Sequence, residues 1–121
     1  MDDLTVEKII AVHDAITAKD GGDARLLSEP NLHQFVFSVN LIPDTCRRAA
    51  LALFFLCAYP AFRDGNKRTA HALASMILGN EGYCLAPDDE RVAGLFAGVA
   101  SYTVEPADIE AWLRCHVIKG G

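Results

Sequence analysis

From Ala49 to Tyr59 the chain carries no charged residue, and this run constrains the fold more than any other stretch. A helix built from it is apolar nearly all round, so it must lie in the middle of the molecule with other elements packed on several sides. It is far short of the roughly 20 apolar residues that a membrane-spanning helix needs. Ile42, Pro43, Asp44 and Thr45 start this helix, with Pro43 or Asp44 near its N-terminus, and Pro60 ends it after Tyr59. The character of the chain then reverses. Arg63, Asp64, Gly65, Asn66, Lys67 and Arg68 crowd charge, a glycine and a helix start into consecutive positions. A loop held between two core helices is where chemistry tends to sit.

Other helices follow from the apolar period. Thr5 offers a hydroxyl cap to a stripe of Val6, Ile9, Ile10, Val12, His13, Ile16 and Thr17 that stops at Gly21 and Gly22. His13 is the odd member of that face, and a core histidine bonded to a carbonyl is favoured over a ligand-facing one. Asp20 to Asn31 is rich in Gly, Asp, Ser and Pro and reads as a loop. Over 28–41 two patterns compete. Phe35, Phe37, Val39 and Leu41 alternate as in an extended flap hairpin, whereas Leu32, Phe35, Val36 and Val39 fit a short helix, which is preferred.

Arg47 and Arg48, in the first turns of the central helix, are expected in solvent. Lys67 to about Gly79 forms the next helix, closed by Asn80, Glu81 and Gly82, and Tyr83 to Ala86 is a connector. Pro87, Asp88, Asp89 and Glu90 open a further helix with Val92, Leu95, Phe96 and Val99 inward, broken at Ser101 to Val104. Glu105, Pro106, Ala107 and Asp108 open the last one, where Ile109, Trp112, Leu113 and His116 share a face. Trp112 is expected to anchor the core and His116 to bond the last carbonyls. The class is all-α, with five or six helices and at most one short hairpin.

The 121 residues are expected to make a single domain, 1–121, large enough for one core without metals or disulfides. A net charge of −5 argues against direct nucleic-acid binding, which needs clustered Lys and Arg. Cys46, Cys57, Cys84 and Cys115 have no CxxC spacing and read as buried free thiols of a reducing compartment. The opening Met1-Asp2-Asp3 lacks the basic-then-apolar order of a signal peptide, so a cytoplasmic location and no membrane are expected.

In the charged loop, Gly65 and Asn66 stand at the mouth of a helix, where unpaired N–H groups and the positive end of the dipole favour an anion. Lys67 and Arg68 add mobile and forked positive charge, and Asp64 suits a magnesium ion bridging two phosphates. A nucleotide is the natural ligand. The same residues also serve a purely structural end, with Asp64 and Asn66 capping the helix and Arg68 paired to an acidic neighbour. Taken from residue types alone, the two readings stand level.

Phe62-x-Asp64-Gly65-Asn66-Lys67-Arg68-Thr69-Ala70 resembles the signature of the Fic/Doc superfamily, His-x-Phe-x-Asp/Glu-Gly/Ala-Asn-Gly/Lys-Arg, in its Doc (death-on-curing) form. Ile9 to Asp14 followed by Gly21-Gly22 looks like the start of Doc proteins. The resemblance implies an all-α fold that binds a nucleotide at this loop and transfers a nucleotidyl or phosphoryl group to a protein hydroxyl. By position it makes Asp64 the ligand of a magnesium ion held with ATP or another nucleotide. Gly65 and Asn66 become the anion hole, Lys67 and Arg68 the groups on the remaining phosphates, and Phe62 the loop anchor. Doc members are toxins that inactivate a translation factor, usually paired with a separate antitoxin. Ser28 to Asn31 does not supply the family's self-inhibitory pattern.

One position departs from the signature. Where the family has its catalytic histidine this chain has Pro60, and proline carries no group able to take a proton from a hydroxyl. Three readings follow. Slightly favoured is a Doc-like protein that binds nucleotide but is impaired in transfer. The second is a working transferase with a substitute base, His71 or Tyr59 being the weak candidates. The third is a non-enzymatic interaction module.

Overall fold

A computed structural model of the chain describes residues 3–85 and 89–119. Among the described residues it contains six helices and one two-stranded ribbon, and its buried side chains gather into one cluster running from Leu4 to Leu113. Helix α1, Val6–Asp20, is capped by Thr5, whose Oγ1 accepts the Lys8 N–H at 3.1 Å. Helix α2, Glu29–Asn40, is capped by Ser28 and settles the competition over 28–41 in favour of the helix. Leu32, Phe35 and Val39 are buried along one face, while Phe37, which the alternating pattern would send to the same side as Phe35, is 63% exposed.

Helix α3, Thr45–Ala58, is the central helix that its composition demands, with Ala49, Ala50, Ala52, Leu53, Phe55 and Leu56 all buried. It packs most extensively on helix α4, Asn66–Asn80, and also touches α2 and the last two helices. Ala49 and Ala52 on α3 and Ala70 and Ala74 on α4 are fully buried, and small residues of this kind suit close helix packing. Helices α5, Asp89–Ala100, and α6, Pro106–His116, close the other side of α3. The expected helix start at Pro87 and Asp88, the connector residue Ala86 and the inward Val92 side chain lie outside the described residues.

Three expectations are corrected. Tyr83–Leu85 is not a plain connector but strand β1, paired antiparallel with β2, Val117–Lys119, so that Cys84 faces Ile118. Segments of three residues are too short to display an alternating pattern. Arg48 is 5% exposed: its Nε donates to the Ile42 carbonyl at 2.7 Å and Nη2 to the Asn40 carbonyl at 3.0 Å, and Asp3 lies 3.6 Å from Nη1. It thereby serves the last carbonyl of α2 and one just beyond the helix end, where a cation complements the helix dipole. Cys84 and Cys115 are exposed rather than buried, and all four thiols are free.

Trp112 is half-buried, packs on the core and stacks on His116 with ring centroids 4.4 Å apart. His116 Nδ1 donates to the Trp112 carbonyl at 2.7 Å, as a histidine in a last turn is expected to. Among the described residues no helix is long and apolar enough to cross a membrane.

Candidate functional site

Between α3 and α4 the chain has seven residues, 59–65, and nearly all of their main chain is tied down. Asn66, the first residue of α4, turns its side chain backwards: Oδ1 accepts the N–H groups of Ala61 and Phe62 at 3.2 and 3.1 Å, and Nδ2 donates to the Phe62 carbonyl at 2.8 Å. The segment between α1 and α2 clasps the loop from outside. Leu27 and Ser28 donate to the Ala61 carbonyl, Arg63 donates to Arg25, Asn31 Nδ2 donates to the Pro60 carbonyl, and Leu26 bridges Phe62. From beneath, His13 of α1 stacks flat on Phe62, centroids 3.6 Å apart and planes within 8°, and bonds the Asp64 carbonyl at 2.6 Å. His13 is thus the buried, carbonyl-bonded histidine its position suggested, and the carbonyl belongs to the loop.

Gly65 makes the final turn. Its φ of 80° and ψ of 11° lie in the left-handed region, and a Cβ there would sit 3.3 Å from His13 Nε2. The turn delivers α4 with no side-chain cap on its first N–H groups. Over this helix mouth lies an open cleft of about 430 Å³ lined by Leu56, Cys57, Pro60 and the whole run from Arg63 to Arg68. Among the described residues Arg63 and Lys67 have no carboxylate partner, whereas Arg68 pairs with Asp20 at 3.4 Å in a half-exposed ion pair of small energetic weight. Burial pushes the Cys57 thiol above its ordinary range, and the nearby Lys67 charge works against that rise. Uncapped amides, an ammonium and a guanidinium without carboxylate partners among the described residues gather positive potential around one cleft, which is the electrostatics an anion favours.

Asp64 faces two ways. Its Oδ2 accepts the Asp23 N–H at 2.9 Å, and a Cβ added at Gly22 would sit 3.4 Å from the Asp64 Cβ. No group of three or more metal-ligating side chains occurs among the described residues. One carboxylate with an oxygen to spare fits a magnesium ion that keeps waters and takes its other ligands from phosphates, and does not fit an all-protein cage.

Residues 3–78, more than half of the chain, match the model of the Fic/DOC family. The chain belongs to the Fic/Doc family. No curated protein matches it. The match covers α1 to α4 and the whole clasped loop, so this Fic/Doc chain holds its family segment and its candidate site in one place.

The structure brings Asp64, Gly65, Asn66, Lys67 and Arg68 to the same cleft and buries Phe62 beneath it at 2% exposure. Asn66 contributes backbone there, because its amide side chain is spent on Ala61 and Phe62. Pro60 stands on the wall between this cleft and a second one of about 350 Å³, whose lining includes Tyr59, Tyr102, Phe54 and Val99. The two clefts share Cys57 and Pro60. Tyr59 opens onto the second cleft and is half-exposed; His71, half-buried on α4, lines neither.

Sequence reasoning did not assign roles to Arg63, Asp23 or the clasp at 25–31. Arg63 carried a signal, since it belongs to the same charged run. Asp23 acts through its main-chain N–H and Arg25 through its carbonyl, and no residue type announces a backbone contact across 38 positions or more.

Proposed function

We propose that this Fic/Doc protein binds the phosphates of an ATP-type nucleotide, with magnesium, at the Arg63–Arg68 loop, and that transfer is impaired because Pro60 stands where the signature has its base. The observation that carries this reading is the mouth of α4, which among the described residues is uncapped by any side chain and flanked by Arg63 and Lys67 without carboxylate partners, over one cleft. Amides of the first turn and the helix dipole bind phosphate oxygens, Lys67 adds a mobile charge and Arg68 a planar fork. A magnesium ion held by Asp64 supplies charge that offsets phosphate repulsion. The second cleft, of mixed polarity and carrying Tyr59 and Tyr102 next to Pro60, offers a face on which a base can stack. This continuity favours a nucleotide over a bare phosphate.

Transfer to a protein hydroxyl needs a group that accepts its proton, and Pro60 has none. Tyr59 opens onto the cleft on the far side of Pro60, so of the two substitute bases it has the better access and His71 the worse. Phosphoryl transfer leans on positioning and charge, which leaves a weak transferase as the second reading. In that case the protein acts as a Doc-type toxin on a translation factor and is restrained by a separate antitoxin.

Calorimetric titration with ATP and magnesium tests the first claim. Binding in the micromolar to millimolar range is expected, and a protein that takes up no nucleotide leaves only the interaction-module reading. Incubation with labelled ATP and cell lysate tests the second, the native protein being expected to label nothing while Pro60→His labels a protein band. Labelling by the native protein that disappears in Tyr59→Phe would instead support the substitute base.

A further inference from the structure

We propose that His13 is a positioning residue for the phosphate loop: its Nε2–H fixes the Asp64–Gly65 peptide so that the Gly65 N–H is aimed at the cleft. This rests on the nucleotide reading of that cleft, but its geometry stands independently. His13 is fully buried on α1, far from the charged loop in sequence and lining neither cleft. Its Nε2 lies 2.6 Å from the Asp64 carbonyl oxygen. A carbonyl only accepts, so the proton sits on Nε2 and the imidazole is the Nε2–H tautomer. The peptide bond is planar and trans, with its C=O and N–H pointing opposite ways. Drawing the Asp64 oxygen down onto α1 therefore turns the Gly65 N–H away from α1, towards the cleft that Gly65 lines.

Two further observations separate this from ordinary packing. The other ring nitrogen, Nδ1, is buried with no hydrogen-bond partner among the described residues. An apolar side chain of similar bulk would fill the space under Phe62 without leaving a desolvated nitrogen, so what the histidine adds is its donor. The fit is also matched from the opposite side, because Gly65 approaches so closely that a Cβ would meet the same Nε2 at 3.3 Å. Phe62, stacked on the ring, prevents the imidazole from swinging away. Donor, stack and glycine together hold one peptide plane.

The test uses the full chain labelled with ¹⁵N. Long-range ¹H–¹⁵N correlation on the wild type reads the tautomer directly; an Nδ1–H form would overturn the proposal before any variant is made. His13→Leu keeps bulk and removes the donor, and is expected to move the Gly65 and Asn66 amide resonances and to weaken MgATP binding about tenfold, equivalent to about 1.4 kcal/mol. His13→Gln, whose amide can donate to the same oxygen, is expected to recover most of that loss. Equal losses in the two variants would assign His13 to packing and overturn the proposal, as would a folded His13→Leu protein with unmoved loop resonances. A wild type that binds no MgATP yet has the Nε2–H tautomer, with Gly65 displaced in His13→Leu, defeats the nucleotide reading while supporting the positioning one.

Discussion

Helices α3 and α4 lie side by side in the core, yet their N-termini are finished in opposite ways. At the start of α3 the Asp44 carboxylate accepts the Arg47 N–H at 2.9 Å and Arg114 at 2.8 Å, and Glu110 joins the same two arginines. These contacts, the Arg47 N–H foremost, hold the Asp44 carboxyl below its ordinary range. Every charge there is answered by the protein. At the start of α4 no side chain caps the amides, the glycine before them is left-handed, and Arg63 and Lys67 have no carboxylate partner among the described residues. A closed helix start contributes stability, while an open one keeps its binding capacity for a ligand.

The largest effect that would break this contrast comes from Asn66. Replacing it by alanine strips the partner from the Ala61 and Phe62 N–H groups, and the loss in urea unfolding is expected at about 2–4 kcal/mol. A loss under 1 kcal/mol would mean that the amide is free for a ligand after all. Next in size, Lys67→Glu should lower MgATP affinity at least about tenfold while unfolding free energy moves by no more than about 0.5 kcal/mol. Should affinity survive, α4 is as closed as α3.

Asp44→Ala is expected to cost about 1 kcal/mol of stability, the usual worth of a helix cap, and to leave MgATP binding unchanged. Equilibrium unfolding and titration on the same sample give both numbers. The smallest effect is in pH. Asp44 and Glu110 both have carboxyls held low in the folded state, so their contribution is complete above the ordinary carboxylate range and fades as pH falls through the depressed values. Stability curves of wild type and Asp44→Ala should therefore converge in acid and separate towards neutral pH; parallel curves would remove the charge from the account of the α3 cap.

Much of this was legible in the chain itself. The uncharged run from Ala49 to Tyr59 demanded a central helix, the Thr5 hydroxyl cap and the Pro43-Asp44 pair marked where two helices start, and the charged loop marked the helix mouth that lines the cleft. The short ribbon of Tyr83–Leu85 and Val117–Lys119 was not legible, because three residues hold no period and its partner strands are joined only through two intervening helices. Nor was the burial of Arg48, which depends on the end of α2 arriving beside it.

The site divides in the same manner. Residue type alone determined that Arg63 to Arg68 would gather positive charge at a helix mouth, since a glycine, an asparagine and basic residues at consecutive positions need no distant partner to do so. Only the tertiary structure decided which of them are free. It turned the Asn66 amide back onto Ala61 and Phe62, gave Asp64 to Asp23 and Arg68 to Asp20, and left Lys67 and Arg63 without a carboxylate partner among the described residues. The physical reason is that a hydrogen bond or ion pair is settled by what lies within about 3 Å in space, and the groups that settle Asp64 and Arg68 belong to α1 and the segment after it, 41 residues away along the chain in the case of Asp64.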